Sequence, residues 1–433
     1  MPQPSDSRRL FLIAYLTVFT IGLGFAVRAA IAGDLSAQLF MRIDPARGAT
    51  MVGHALGMTF TGFAFTLLIG GALVDWMGSK RMLMVSALSN LGGAALVLLA
   101  SLRAVDGASY PLVLAGLLLT GLGWGAVEAA INPLVVSVDP ANKVKRLNVL
   151  HAWWPAGIVG GGLASLLIKY SGLPWQTNLL LLMAPAVAVL LLLRGMSFPV
   201  TERVAAGVSY LDMVRELARQ PQFLLLWACM WLTASAELAP AQWVDMTLSR
   251  TVGMDGILIL VYVSALMFVM RHFAGALGRH VSSIALLWWS CLLAAIGLYG
   301  LSLARTPLAA FAAATVWGCG VCYMWPTMLA LVSERFPRGG ALFLGLMGFG
   351  GGMAIEFLLP QLGRIMDQAL QRAAGGPGQL ASLTSGQLAE VAQMAAAESF
   401  QAIALVPLLL LPVFGAIWLH DRRTARGLSL KPS

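Results

Sequence analysis

The sequence predicts an all-α polytopic membrane protein with twelve transmembrane helices in two six-helix halves. Three observations predict it. The 433 residues are 59% hydrophobic and only 11% charged, whereas soluble proteins carry roughly a quarter charged residues, so the chain cannot cover a water-exposed surface. Apolar stretches of about 20 residues, the length that crosses a hydrocarbon core of about 30 Å, recur from one end to the other. Lysines and arginines concentrate in alternate loops between those stretches, the asymmetry that orients membrane helices.

The elements follow in order. The first span, 9–32, comes after Arg8 and Arg9; it runs on through Arg28 to Asp34 with no small-residue cleavage site, so it reads as a retained helix and not as a signal peptide. Spans at 51–74, 82–102, 110–137, 147–169 and 174–194 complete a first half, 1–194. A polar connection, 195–221, carries Thr201, Glu202, Arg203, Asp212, Arg215 and Glu216 and reads as a partly helical cytoplasmic linker. Spans at 222–246, 253–270, 281–302, 307–332, 340–363 and 397–419 form a second half, 222–433. With the N-terminus inside, Lys80, Arg81, Lys143, Lys145, Arg146, Arg271, Arg279, Arg335, Arg422 and Arg423 fall on the cytoplasmic side. Far fewer cations, such as Arg42, Arg47 and Lys169, fall outside, so both termini are expected in the cytoplasm. The net charge of +9 therefore reports topology, and no nucleic-acid partner is expected.

Cys229, Cys291, Cys319 and Cys322 all sit in apolar stretches, which implies no disulfide framework. Cys319 and Cys322 share a helical face, but no second ligand pair accompanies them, so buried thiols are expected and no metal or cofactor. The glycine runs Gly160, Gly161, Gly162 and Gly348, Gly350, Gly351, Gly352 read as close helix packing. Neither lies between a strand and a helix as a nucleotide-phosphate loop would. No His-Glu-x-x-His or Gly-x-Ser-x-Gly pattern marks an enzyme.

Ionisable groups inside spans are costly and face a bundle interior or a cavity, so each is a functional candidate. Glu128 leads. Trp124 and Asn132 stand four residues to either side of it and project from the same helical face. A carboxylate there, exposed to alternate sides, can load and unload a proton. Arg28 lies inside the first span and needs an acidic partner, which Asp34, Glu128 or an anionic substrate could supply. His151 and Trp154 share a face of the fifth span. In the second half Trp231, Glu237, Tyr323, Trp325 and Glu356 mix aromatic planes with hydrogen-bonding groups, as do Gln242, Trp243 and Asp245, although Trp243 also suits a membrane-interface belt.

The loop Gly71-Ala-Leu-Val-Asp75-Trp-Met-Gly78-Ser-Lys80-Arg81 resembles the signature loop of the major facilitator superfamily, with Gly71, Asp75, Gly78, Lys80 and Arg81 at the matching positions. The equivalent loop of the second half, Arg271 to His280, repeats its glycines and cations. The run Gly121-Leu-Gly123-Trp-Gly125-Ala-Val-Glu128-Ala-Ala-Ile-Asn132-Pro133, followed by Arg146-Leu-Asn148, is similar to the fucose permease branch, as are Asp34-Leu-Ser-Ala-Gln38 and Met324-Trp-Pro-Thr327. The resemblance implies the major facilitator fold and a sugar and proton symporter. It also implies Glu128 and Asp34 as proton-coupling residues and the Asp75 loop as a conformational switch. Arg28, His151, Glu237 and Glu356 have no counterpart in that pattern.

The expected function is secondary active transport by alternating access, with proton-coupled symport of a sugar or sugar derivative. Proton-driven efflux of an amphipathic compound and a non-transporting sensor are the alternatives. The expected setting is a bacterial inner membrane, as a monomer.

Overall fold

The computed structural model describes residues 4–139, 143–199, 210–249, 251–273, 281–336, 338, 340–376 and 383–429. Twelve helices of the bundle are described. They are α1 (Pro4–Asp34, prolonged by a π-helical turn, Leu35–Phe40, and by Met41–Ile43), α2 (Gly48–Met77), α3 (Ser79–Leu102), α4 (Ser109–Val138), α5 (Lys143–Tyr170) and α6 (Thr177–Leu192). Then come α7 (Gln222–Leu248), α8 (Ile257–His272), α9 (Ser283–Leu303), α10 (Pro307–Val321 and Met324–Arg335), α11 (Gly340–Ala373) and α12 (Ser385–Ser429). A short helix, Tyr210–Arg219, lies in the linker. Nine of the described helices are long and apolar enough to cross a membrane, and α6 and α8 are shorter apolar helices. Most spans run several residues beyond the expected ends, because a helix can continue past the apolar stretch into water.

Helix ends follow local chemistry. Ser282 and Thr306 cap α9 and α10 by accepting hydrogen bonds from the N–H groups of Ala285 and Ala309, and Pro307 occupies the first turn, where it removes no bond. Between α2 and α3 the chain reverses at Gly78, whose φ of 82° no side-chain-bearing residue adopts easily.

One span departs from expectation. The stretch expected as one helix, 307–332, breaks at Cys322 and Tyr323. Pro326 explains the break, since a proline lacks an N–H and its ring clashes with the carbonyl four residues earlier, that of Cys322. Freed carbonyls inside a membrane need another donor. The Cys322 carbonyl accepts from Arg271 Nε at 3.2 Å. Pro240 likewise frees the carbonyl of Ala236, which accepts from Trp317 Nε1 at 3.1 Å.

Glycines set the closest crossings. A Cβ on Gly157 would lie 2.1 Å from the Phe19 carbonyl oxygen, and one on Gly22 would lie 2.0 Å from that of Trp154, so α1 and α5 touch backbone to backbone. In the Gly160–Gly162 run, Gly161 faces Leu23 of α1 while Gly162 faces Val261 of α8. The α11 run does two jobs. Gly348 and Gly352 admit Leu67, Ala64 and Phe63 of α2, and Gly350 and Gly351 make room for Trp227, Trp231 and Trp325.

The first six helices meet the last six chiefly where α2 packs on α11, α5 on α8 and α1 on α7. Hydrogen bonds between the two groups gather at or beyond the bundle's middle, on the face away from the chain termini. Asp367 accepts from the N–H groups of Ala49 (3.1 Å) and Thr50 (2.8 Å) at the start of α2 and from the Thr50 hydroxyl (2.6 Å). Gln371 donates to the Ala46 carbonyl at 2.9 Å. Asp255 accepts from Lys169 and Tyr170. Gln242, fully buried, donates to the Phe25 carbonyl at 2.9 Å. The far face is therefore closed.

The α1–α5 contact yields a test. Gly157→Val is expected to destabilise the detergent-purified protein by the about 1–3 kcal/mol that overpacking costs, seen as a lower thermal midpoint. Gly33→Ala, whose new methyl meets nothing within 4 Å, serves as control and leaves the midpoint in place. Equal midpoints for the two variants would contradict the backbone contact.

Candidate functional site

The centre of the bundle is built on α4 and α5. Four residues of spacing let the Asn132 amide donate from Nδ2 to the backbone carbonyl of Glu128 at 3.1 Å. Its Oδ1 then faces His151 Nε2 at 3.0 Å, so with the amide oriented this way that imidazole nitrogen is the donor. Glu128, half-buried, and Arg271 both act electrostatically on the His151 ring. Trp154, one turn along α5, presents its ring to Phe25 at 5.5 Å and to the Arg271 guanidinium at 6.0 Å.

Trp124 takes a different role from the one its spacing suggests. Its ring is buried in an aromatic cluster with Phe63 (4.5 Å), Phe60 (5.4 Å) and Phe25 (6.5 Å). Arg28 stacks over it at 5.9 Å and is itself buried. Neither Asp34 nor Glu128 pairs with Arg28 among the described ion pairs, and its Nε and Nη2 have no hydrogen-bond partner. An aromatic face is the main compensation the protein offers this cation.

On the other side of the centre, Glu237 of α7 is buried and meets Arg271 Nη2 at 3.6 Å. The sequence places Arg271 in a cytoplasmic loop. It lies instead in the last turn of α8, and its long side chain reaches the bundle interior, drawn by Glu237, by the freed Cys322 carbonyl and by Trp154. Trp231 is half-buried, edge-on to Trp227 at 5.6 Å. Trp227 is anchored by a 2.8 Å bond to the Leu346 carbonyl. Trp325 sits over Gly351. Tyr323 is buried, and its hydroxyl donates to the Met270 carbonyl at 2.7 Å, which ties the α10 break to the end of α8. Glu356 points toward Gly57 of α2, placing it in the contact between the two groups of helices. Trp243, suited by sequence to an interface belt, is fully buried among helices.

The structure separates Asp34 from Glu128. Asp34 is half-exposed at the far end of α1, where its Oδ1 accepts from Gln38 at 3.2 Å, and Gln38 in turn accepts from Trp175 Nε1 at 3.0 Å. In the signature loop, Lys80 donates to the Met196 carbonyl at 2.8 Å across the terminal face, Arg81 is exposed, and Gly71 and Asp75 are half-buried. The matching loop of the second half, 274–280, lies outside the described residues, as do Thr201, Glu202 and Arg203 of the linker. All four cysteines are free, and no cluster of metal-ligating side chains is found among the described residues.

The family model described as Major Facilitator Superfamily matches residues 10–358. The chain belongs to the major facilitator superfamily. Solved structures with the same fold include a D-xylose–proton symporter, at 15% identity and a TM-score of 0.72, covering 90% of this chain and 96% of that one. The nucleoside transporter NupG matches at 12% identity and a TM-score of 0.66, covering 95% and 98%. Tetrameric PepTSo2 matches at 12% identity and a TM-score of 0.67, covering 97% and 100%. No curated protein matches the chain significantly.

Sequence reasoning missed Arg271, Phe25 and Asp367 as parts of the centre and of the closed face; it singled out Gln242 as a hydrogen-bonding group but not as a contact to α1. Pro326 was the available signal for Arg271, since a freed carbonyl calls for a donor. The far-face residues carry no such mark.

Closure of the far face has a pH signature. Burial works against the Asp255 carboxylate, but hydrogen bonds from Lys169 and Tyr170 outweigh it and hold the carboxyl below its ordinary value. A depressed pKa means the contact is fully present above the ordinary carboxylate pKa and is lost as pH falls through the lowered one. The contact of Asp255 with Lys169 and Tyr170 should therefore hold from pH 8 down to about pH 5, and spin labels at cysteines replacing Arg42 and Gln387 should report a longer distance in Asp255→Asn than in the wild type. Equal distances in the two would contradict this assignment.

Proposed function

We propose that this chain is a proton-coupled symporter of a sugar or sugar derivative, working by alternating access about a site between residues 1–194 and 222–433, joined by the linker 195–221. The observation that carries the reading is the arrangement at the centre. The Glu128, Asn132 and His151 group of α4 and α5 faces the Arg271 and Glu237 pair of α8 and α7, with Trp154, Trp231 and Trp325 as aromatic walls. A sugar offers apolar ring faces edged by hydroxyl groups, which suit tryptophan planes and a small set of fixed polar groups. Arg271 and Glu237 neutralise each other, so that side favours a neutral polyhydroxylated ligand. Glu128 has no ion-pair partner among the described ion pairs, which suits it to carry the coupled proton.

The loop charges favour an orientation with both termini in the cytoplasm. On that orientation the far face, where the contacts between the two groups gather, is periplasmic. Binding drives transport only if substrate and proton prefer one conformation over the other. The similar D-xylose–proton symporter supports the sugar reading, while the nucleoside transporter among the matches shows that the fold alone does not choose the substrate.

Proteoliposomes test the reading. Uptake of labelled D-xylose, L-fucose and other neutral sugars should rise with an inward proton gradient, and Glu128→Gln should lower that accumulation by roughly tenfold or more, the scale of one charged hydrogen bond. No uptake of any sugar, with export of amphipathic cations instead, would replace symport by efflux. Binding without flux would make the protein a sensor.

A further inference from the structure

Arg271 has three supports, and they come from both groups of helices. Glu237 of α7 lies 3.6 Å from Nη2, the Cys322 carbonyl of α10 accepts from Nε at 3.2 Å, and the Trp154 ring of α5 lies 6.0 Å below the guanidinium. The first two belong to the last six helices; Trp154 belongs to the first six. Rocking of one group on the other therefore changes the seating of Arg271 directly. Glu237 depends on that seating. The residue is only 4% exposed, and its Oε2 has no hydrogen-bond partner. A buried carboxylate stays anionic only while a cation and hydrogen bonds hold it.

We propose that Glu237 is a second proton-coupling carboxylate, gated by Arg271. While α8 is seated against α5 the pair holds and Glu237 is ionised. When rocking shifts Trp154, Arg271 swings toward water and Glu237 takes a proton from the open side, forming only an O–H bond. Re-forming the pair returns that proton to water. Among the described residues, the other titratable groups that act on this pair are the Cys322 thiol and Tyr323 at the α10 break and His151 of α5, on which Glu128 of α4 acts in turn. Arg28 of α1 is engaged with Trp124, and Glu356 of α11 faces α2. This rests on the symport reading for its transport consequence, but not for the protonation of Glu237 itself.

Two measurements separate the two ideas. Without any substrate, detergent-purified full-length protein is acidified in the presence of a pH indicator, and Glu237→Gln should take up about one proton fewer per chain than the wild type. In proteoliposomes, Glu237→Gln should lower gradient-driven accumulation of D-xylose or L-fucose by roughly tenfold or more, and by more than it lowers exchange at equal concentrations on the two sides; the Glu237→Gln, Arg271→Gln double variant should do the same. The double variant keeps the test decisive if the single one, with Arg271 unpaired, fails to fold. Equal proton uptake by variant and wild type, or accumulation that survives the substitution, overturns the proposal. Parallel loss of exchange and accumulation in a folded variant, restored by Glu237→Asp, would make Glu237 a substrate ligand instead. Absence of sugar transport by the wild type would remove the symport reading and leave the proton count to decide this one.

Discussion

The hydrocarbon core of a membrane offers no water to a polar group, and most of this structure follows from that constraint. Each backbone N–H and carbonyl has to be paired within the protein, which makes every described span a helix. Where proline breaks the pattern the freed carbonyls are taken by side chains from neighbouring helices, Arg271 at Cys322 and Trp317 at Ala236. The same rule governs the charges. Few are admitted to the interior, and Glu237, His151 and Arg28 sit beside an opposite charge, an amide and an aromatic face respectively. The interior charges are thus close to a roster of functional candidates.

With no hydrophobic drive to press helices together inside lipid, close packing has to do that work. Glycines at the α1–α5 and α2–α11 crossings let backbones approach until a single methyl would collide. These are also the surfaces that bear on movement. α1 and α5 pack within the first six helices as a firm unit, whereas α2 on α11 and α5 on α8 join that unit to the other. Gly162 serves the second kind of contact and Gly161 the first, one residue apart on the same helix. A rocking motion can therefore leave one crossing intact while it opens the other.

Polar contacts between the two groups are concentrated at the far face, where Asp367 binds the N-terminal N–H groups of α2 and Asp255 holds Lys169 and Tyr170. A carboxylate at a helix N-terminus gains from the unpaired N–H groups and from the dipole. Such contacts are strong enough to hold a conformation and few enough to be released together. The centre is different: its ion pair, Arg271 with Glu237, lies within the last six helices and meets the first six through Trp154 and His151.

Composition and hydropathy were sufficient to determine the helical membrane class and the approximate spans, because crossing a bilayer demands a length and an apolarity that show in any window of the chain. The signature loop at Gly71 to Arg81 also marked the superfamily, and a carboxylate in a span marked Glu128, since both are local patterns. Tertiary structure decided the rest. Helical spacing put Trp124 beside Glu128, yet packing turned its ring into the Phe25, Phe60 and Phe63 cluster. The resemblance named Asp34 together with Glu128, and the fold sets the two apart, with Asp34 at the far surface beside Gln38. Arg271 looked like a loop cation and is the centre of a three-helix contact. Each of these outcomes depends on which helix lies opposite, and a long side chain at a helix end can serve a loop or a core equally well until its neighbours are in place.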